Sequence, residues 1–335
     1  MNTQKRLSRR EILAAGLSLA ATACFPIRAN ATTDWPAAGT IKMIVPFNPG
    51  ASTDTLARFI ASGLSRRLSQ NIIVENKSGA GGVIGTEYVA NQPPDGYTLL
   101  FQTNPFISAP MIIAGNHKLP YDPAKDFQPI GQIAVAPLLI VVSNDLKVTT
   151  LREFLDVART KPMTMSYGSA GIGSINHMAV ELLSSMANVK LVHVPYTGLG
   201  PALTDLLGGR LQMIAASLPS VLPYVNAGKM RALAITASGR SSLVPNLPTV
   251  AEAAVPGYQV EAWWGMFAPA KLPVPITQRL NSELDSLLAS PSIVEVLARE
   301  GASRRPISPD DFKKMILADV PRWRKLIQEA HIVAG

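Results

Sequence analysis

The chain has 335 residues, 47% of them apolar, with 31 Lys and Arg against 23 Asp and Glu, a formal charge of +8 and one cysteine. Residues 1–31 hold five of the basic residues, one of the acidic ones and Cys24, so the remainder carries 26 against 22, a formal +4, and has no thiol for a disulfide, a nucleophile or a metal. That mild charge, without a Lys/Arg stripe interleaved with aromatics, argues against nucleic acid, and the remaining residues, about 300, suffice for two domains with cores of their own.

At the start, Lys5, Arg6, Arg9 and Arg10 precede an apolar Ala- and Leu-rich run from Ile12 to Ile27, and Ala29-Asn30-Ala31 supplies the small-x-small pattern of a signal-peptidase site. Residues 1–31 therefore read as a cleavable signal cut near Ala31, and the mature protein is expected in the periplasm. The run is interrupted by Gly16, Ser18, Thr22 and Pro26 and falls short of the roughly 20 residues that span a bilayer. Ser8-Arg9-Arg10-Glu11-Ile12-Leu13 fits a twin-arginine signal. A Sec signal with two adjacent arginines is the alternative, and lipidation of Cys24 is a third reading, poorly served by Ala21-Thr22-Ala23.

Strands then alternate with helices. Ile41–Val45 is a short apolar run closed by Pro46 and Pro49, and from Thr53 to Leu68 the residues Leu56, Phe59, Ile60, Leu64 and Leu68 recur at helical spacing. Ile72–Glu75 predicts a second strand, Gly82 to Ala90 a short helix, and Thr98–Phe101 a third strand behind the turn Pro94-Asp95-Gly96. The alternation restarts with a strand over 137–143, a helix over 151–159, a strand over 165–167 and a helix over 175–187. It continues through Val192–Val194, Ala202–Leu207, Met213–Ala215 and Ala232–Ile235 to a turn-rich stretch from Val244 to Pro256. From Pro275 onward the pattern is mainly helical. The fold class is α/β: two lobes, each a doubly wound mixed sheet flanked by helices, with a ligand cleft between them. Lobe 1 is expected to hold residues 32–138 plus 262–335, lobe 2 residues 139–261, with the chain crossing near 136–142 and 256–264.

Each half opens on a Gly-rich strand-to-helix loop: Pro46-Phe47-Asn48-Pro49-Gly50-Ala51-Ser52-Thr53-Asp54 and Tyr167-Gly168-Ser169-Ala170-Gly171-Ile172-Gly173-Ser174-Ile175-Asn176-His177. Free N–H groups and the positive end of the macrodipole make such a junction suited to an anion, and small residues let the anion approach. Taken singly, either loop also reads as an ordinary turn with Ser52 or Ser174 as N-cap. As a pair at the carboxyl ends of strands, where open α/β sheets bind ligands, they make a clamp, with Gly173 expected at the cleft surface. Asp54 could orient its loop or touch the ligand; His177 could bind an anion or make a structural hydrogen bond. Tyr196 could wall the cleft, and Trp263-Trp264 could floor it or pack a hinge.

The stretch Ile44 to Asp54 with Ala57-Arg58, and Val74-Glu75-Asn76-Lys77-Ser78-Gly79-Ala80-Gly81-Gly82, resembles the Bug family, the substrate receptors of tripartite tricarboxylate transporters. So do Asp95-Gly96-Tyr97-Thr98, Tyr121-Asp122-Pro123, Val194-Pro195-Tyr196, Asp205-Leu206-Leu207-Gly208-Gly209 and Leu247-Pro248-Thr249-Val250-Ala251-Glu252. The resemblance runs from about Trp35 to the C-terminus. It implies a periplasmic solute-binding receptor that closes on a small carboxylate and hands it to an integral membrane permease. The implied ligand contacts fall on Phe47, Asn48, Ala51, Ser52, Thr53 and Asp54, and on Ser169, Ala170, Gly171, Gly173, Ser174 and His177, and Asn104, Tyr196 and Ser217 complete the candidate set. No cofactor, metal or nucleic acid is expected, and the receptor is expected to be a monomer.

The sequence departs from the family's wording at Ala51, where a second glycine is common, and at Thr197, where a lysine is frequent. Ala216 stands where relatives carry an acid or amide, which favours a ligand lacking an amino group. A receptor feeding a membrane signalling sensor would use the same fold. A periplasmic enzyme is disfavoured: Ser169 lacks the G-x-S-x-G context, no H-E-x-x-H occurs, and His117, His177, His193 and His331 are scattered.

Overall fold

The computed structural model describes residues 35–334 except Ala38, Ala51 and Asn116, together with the backbone alone of Ser52. The segment read as an export signal, with Cys24, lies outside the described residues.

Three parallel strands, β1 (Ile41–Val45), β2 (Ile72–Asn76) and β3 (Thr98–Thr103), alternate with helices α1 (Ser52–Leu68), α2 (Val83–Ala90, entered through a 3₁₀ turn at Ala80–Gly82) and α3 (Pro105–Ala114). The periodic residues of α1 give it one buried face, with Leu56, Ile60 and Leu64 at most 1% exposed. The 17-residue strand β4 (Phe127–Ser143) follows. Next come α4 (Leu151–Thr160), β5 (Ser166–Ser169), α5 (Ile175–Ala187), β6 (Val192–Pro195), α6 (Leu199–Leu207), β7 (Met213–Ser217), α7 (Leu218–Asn226) and β8 (Met230–Ile235). The single turn α8 (Val250–Ala253) leads to β9 (Glu261–Pro269) and the helices α9 (Val274–Leu288), α10 (Pro291–Arg299) and α11 (Pro309–Glu329). Capping boxes start α4 at Thr150/Glu153 and α8 at Thr249/Glu252.

The strands run in the order β2-β1-β3-β9-β4-β7-β5-β6, with β8 also on β4. β9 lies antiparallel between β3 and β4, so the sheet is mixed where the chain returns. β4 serves two neighbourhoods: residues from Phe127 to Pro137 pair with β9, and from Leu138 onward with β7 and β8. The fully buried Thr236 fastens this change of sheet. Its Oγ1 accepts from Leu138 N–H at 2.8 Å, its N–H donates to Leu138 O at 2.9 Å, and its carbonyl accepts from Val260 N–H at 2.9 Å, one residue before β9.

The C-terminal helices return to the β1–β3 side. Asn281 of α9 donates to Ile130 O at 2.9 Å, and Arg67 of α1 donates to Ser286 O at 3.2 Å. Phe312 of α11 packs against Gly265 of β9, so close that a Cβ there would stand 2.5 Å from Phe312 Cζ. Five elements went unpredicted: α3, the first half of β4, α7, the single turn α8 and β9. The first and third carry prolines inside the helix, Pro110 and Pro223, and the first is buried on nearly every side.

Candidate functional site

The two Gly-rich loops share one piece of local construction. In the first, Gly50 (φ 80°) donates its N–H to Asp54 Oδ2 at 2.9 Å; in the second, Gly173 (φ 78°) donates to His177 Nδ1 at 3.1 Å. Each is a glycine in the left-handed region tied to a side chain four residues on, in the first turn of the following helix. The bond folds the loop back over the helix N-terminus.

The two supports differ in charge. Asp54, 2% exposed, also accepts from Arg58 Nε at 2.9 Å and Asn76 Nδ2 at 2.8 Å, and Asn76 Nδ2 reaches Phe47 O at 3.0 Å. Burial pushes the Asp54 carboxyl up, but the bonds from Arg58, Gly50 and Asn76 together outweigh it and hold it below the ordinary value. The structure thus gives Asp54 the loop-supporting role, tying β1, β2 and α1. Phe47 is half-buried and Asn48 exposed. Thr53 Oγ1 accepts from Trp264 Nε1 at 3.4 Å, a link from the first loop to β9. Ala51 and the side chain of Ser52 lie outside the described residues.

His177 is 3% exposed and stacks on His193 with ring centroids 3.8 Å apart, and Tyr167 stacks on His193 at 4.9 Å. Accepting from Gly173 fixes the bare nitrogen at Nδ1 and the proton at Nε2, which faces Glu181 Oε1 at 3.8 Å. Burial and then the neighbouring imidazole bring His177 down to about 3, and burial brings His193 down to about 4. Both rings are neutral near pH 7. Burial raises Glu181, whose Oε1 accepts a short bond from the Tyr167 hydroxyl. Ser169, fully buried, places its Oγ 2.7 Å from His193 Nε2 and accepts from Gly171 N–H at 3.1 Å. His193 was not among the sequence-predicted residues, and no spacing rule links it to His177: one ring comes from a helix start, the other from a strand.

These bonds decide what the second loop has left for a ligand. Ser174 is the N-cap of α5, accepting from His177 N–H at 3.3 Å, and Ser174 N–H donates to Gly171 O at 3.2 Å. With the N–H groups of Gly171, Gly173 and Ser174 spent inside the loop, its remaining main-chain donors include those of Ala170 and the 40%-exposed Ile172, together with Ile175 and Asn176 in the first turn of α5. Gly173, expected at the cleft surface, is buried against α3 from the other half of the chain. Its carbonyl accepts from Ser108 Oγ at 3.3 Å, and a Cβ on it would stand 2.8 Å from Ile112 Cδ1. On its other side α3 packs on the 3₁₀ turn, where a Cβ at Gly81 would meet Ala109 Cβ at 3.5 Å, and that turn reaches the first loop, since a Cβ at Gly82 would meet Phe47 Cζ at 3.4 Å. The unpredicted helix is therefore connected to the first loop through the turn at Ala80–Gly82.

Three further candidates are already bonded. Asn104 donates to Glu261 O at 3.0 Å and accepts from Trp263 N–H at 3.0 Å, so its amide joins β3 to β9. The Tyr196 hydroxyl donates to Asp205 Oδ2 at 2.7 Å and is pushed up to about 12 by burial and by that carboxylate. Tyr196 N–H donates to Ser169 O at 3.2 Å, which puts it beside the second loop. Ser217 Oγ sits 2.9 Å from Ser220 Oγ at the start of α7. Among the described residues no group of three or more His, Cys, Asp or Glu is placed to hold a metal, and no helix is long and apolar enough to cross a membrane.

The model of the tripartite tricarboxylate transporter family receptor matches residues 56–332. The chain belongs to this receptor family. BugT of Bordetella pertussis is 34% identical over 305 residues, covering 90% of this chain and 93% of its own. An R. palustris protein solved with adipate superposes with TM-score 0.75 at 37% identity, over 90% of this chain and 99% of its own. MatC from Rhodopseudomonas palustris with bound malate gives 0.72 at 32% identity, over 87% and 99%. The fold is that of the two-lobed periplasmic binding proteins, and the receptor family is periplasmic. As a member of the family this chain is a substrate-binding receptor and not an enzyme.

Proposed function

We propose that this receptor captures a small carboxylate between the β1–α1 and β5–α5 loops and delivers it to the integral membrane permease of a tripartite transporter. The observation that carries the reading is the matched pair of loops, each folded over a helix N-terminus by a glycine N–H bond four residues forward. Main-chain donors at helix starts suit an anion without a compensating cation. The similar proteins solved with adipate and malate supply the ligand class. Lobe 1 comprises residues 32–138 plus 262–335 and lobe 2 residues 139–261, in keeping with the change of partner between Pro137 and Leu138 and the start of β9 at Glu261. The ligand sites are Phe47, Asn48, Ala51, Ser52 and Thr53 of the first loop and Ser169, Ala170, Gly171, Gly173 and Ser174 of the second, flanked by Tyr196 and Ser217, with Asp54, Asn104 and His177 supporting from behind. The chain is exported with residues 1–31 removed, by the twin-arginine route, and acts as a monomer.

A thermal-shift panel of mono-, di- and tricarboxylates, adipate and malate included, tests the reading. A ligand at 100 times its Kd should stabilise the protein by about 2.7 kcal/mol. A panel in which no carboxylate raises the melting temperature while neutral sugars do would reject it.

A further inference from the structure

The second loop carries two glycines at positive φ, Gly171 (119°) and Gly173 (78°), and the N–H groups of both are held by one pair of stacked rings. Gly173 N–H reaches the ring of His177 directly, at 3.1 Å. Gly171 N–H reaches His193 through a serine: it donates to Ser169 Oγ at 3.1 Å, and Ser169 Oγ stands 2.7 Å from His193 Nε2. The rings of His177 and His193 lie 3.8 Å apart and 11° from parallel, so the two anchors form one block.

The direction of the bond between Ser169 and His193 follows from counting protons. The hydroxyl has one to give, and two acceptors are within reach, Gly171 O at 3.2 Å and His193 Nε2 at 2.7 Å. Gly171 O already accepts from Ser174 Oγ at 2.7 Å and from Ser174 N–H at 3.2 Å, which fills its two lone pairs. A separation of 3.2 Å is also long for a bond between two oxygens. The hydroxyl proton therefore goes to His193 Nε2, and the neutral ring carries its own proton on Nδ1. His177 is the reverse, bare at Nδ1 and protonated at Nε2. With its proton turned toward the ring, Ser169 Oγ presents a lone pair to Gly171 N–H.

We propose that His193 is a positioning residue of the second loop: its bare Nε2 fixes the Ser169 hydroxyl and through it the Gly171 N–H, so that the donors on either side, those of Ala170 and Ile172, stay free for the ligand. The role rests on the proposed carboxylate clamp.

Long-range proton–nitrogen NMR of isotope-labelled histidine in the ligand-free protein near pH 7 reads the tautomers, with His193 assigned by its loss in His193→Gln. His193 should be bare at Nε2 and His177 at Nδ1; a proton on His193 Nε2 overturns the proposal. Two substitutions then separate the hydrogen bond from the ring stack. His193→Gln sets an amide oxygen near the place of Nε2 without a ring, and His193→Phe keeps a flat ring without an acceptor. Amide exchange of Gly171 should stay within about twofold of the parent in His193→Gln and rise about tenfold in His193→Phe, the size of one lost hydrogen bond. Calorimetric affinity for adipate or malate should fall in the same order. Packing alone predicts the opposite order, so parent-like exchange in His193→Phe, or His193→Gln exchanging as fast as His193→Phe, overturns the proposal. If His193→Phe does not fold, Ser169→Ala removes the same bridge and leaves both rings. It should raise Gly171 exchange and move the His193 nitrogen signals but not those of His177, and unchanged exchange or unmoved His193 signals would be just as decisive against the role. A parent protein that binds no carboxylate rejects the clamp, whereas the tautomers and exchange rates, read without ligand, still decide whether His193 holds the loop.

Discussion

Replacing Asp54 by Asn keeps the shape of the side chain and removes its charge, which separates a loop support from a ligand contact. In the parent, Oδ2 accepts from Gly50 N–H and Arg58 Nε and Oδ1 accepts from Asn76 Nδ2, so three donors converge on one carboxylate. An asparagine presents one oxygen and one NH₂, and whichever way it turns, a donor meets a donor. Arg58 is half exposed and keeps its hydration when released, so its share is that of a surface pair, below about 1 kcal/mol. The bonds from Gly50 and Asn76 are charge-assisted and lie at a side chain only 3% exposed, which brings the total to about 2–3 kcal/mol. Urea unfolding of the ligand-free protein measures this directly. The pH dependence supplies a second check. The folded carboxyl titrates below its ordinary 3.8, so its stabilisation is complete above that value and is lost as the pH falls through the folded one. The gap between parent and variant should therefore close in acid. An Asp54→Asn protein that unfolds like the parent while losing affinity for the panel carboxylate would show that Asp54 acts on the ligand, and the supporting role would be wrong.

Three other outcomes follow from the same geometry. Gly173→Ala should cost about 1–2 kcal/mol for a Cβ in the left-handed region, with more from the Ile112 contact, and Ile112→Val, which removes the clashing methyl, should return part of it; unchanged urea stability would dismiss the account. His177 and His193 bind protons in the unfolded state from about 6.5 downward but in the folded state only near 3 and 4, so stability should fall as the pH drops below about 6.5, with His177 contributing up to about 1.4 kcal/mol per pH unit. His177→Gln showing the parent's full acid slope would remove His177 from that explanation. Changing Arg9 and Arg10 to Lys should stop delivery to the periplasm by the twin-arginine route, and an undiminished periplasmic yield in cell fractionation would return the signal to the Sec class.

Local signals carried the fold as far as they were strong. The strand-loop-helix units at Ile41–Leu68 and Ser166–Ala187 were legible because a short strand run gives way, across a run of small residues, to a 3.6-residue pattern. Helix α3 was not, because Pro105-Phe106-Ile107-Ser108-Ala109-Pro110-Met111-Ile112 is apolar on every side and interrupted by proline. Its all-round burial is a tertiary fact: it packs against the second loop, the turn at Ala80–Gly82 and the aromatic group of Phe127, Trp263 and Phe267. β9 was hidden for a related reason, since nearly all of Glu261–Pro269 is buried and shows no alternation. At the site, the loops could be found by their glycines. What their N–H groups are bonded to could not, because Gly173 to His177 is a local bond whose formation depends on His193 and Tyr167 arriving from elsewhere.

That bond narrows the site chemistry further than the loop sequences do. A loop at a helix N-terminus is read as an anion site by counting its N–H groups, but here each loop assigns its left-handed glycine to a side chain below. The supports are not interchangeable. Asp54 carries a full negative charge, which would repel a carboxylate ligand were it not covered by Arg58 and Asn76. His177 is neutral and adds no charge of its own, positive or negative, beneath the second loop. A carboxylate approaching the first loop therefore meets donors backed by a compensated ion pair. One approaching the second meets Ala170, Ile172 and the first turn of α5 backed by an uncharged stack of rings. On the proposed reading, the second loop takes the ligand's charged end. The exposed Asn48 side chain and the half-buried Phe47 ring of the first loop are better suited to the part of the ligand that tells one carboxylate from another.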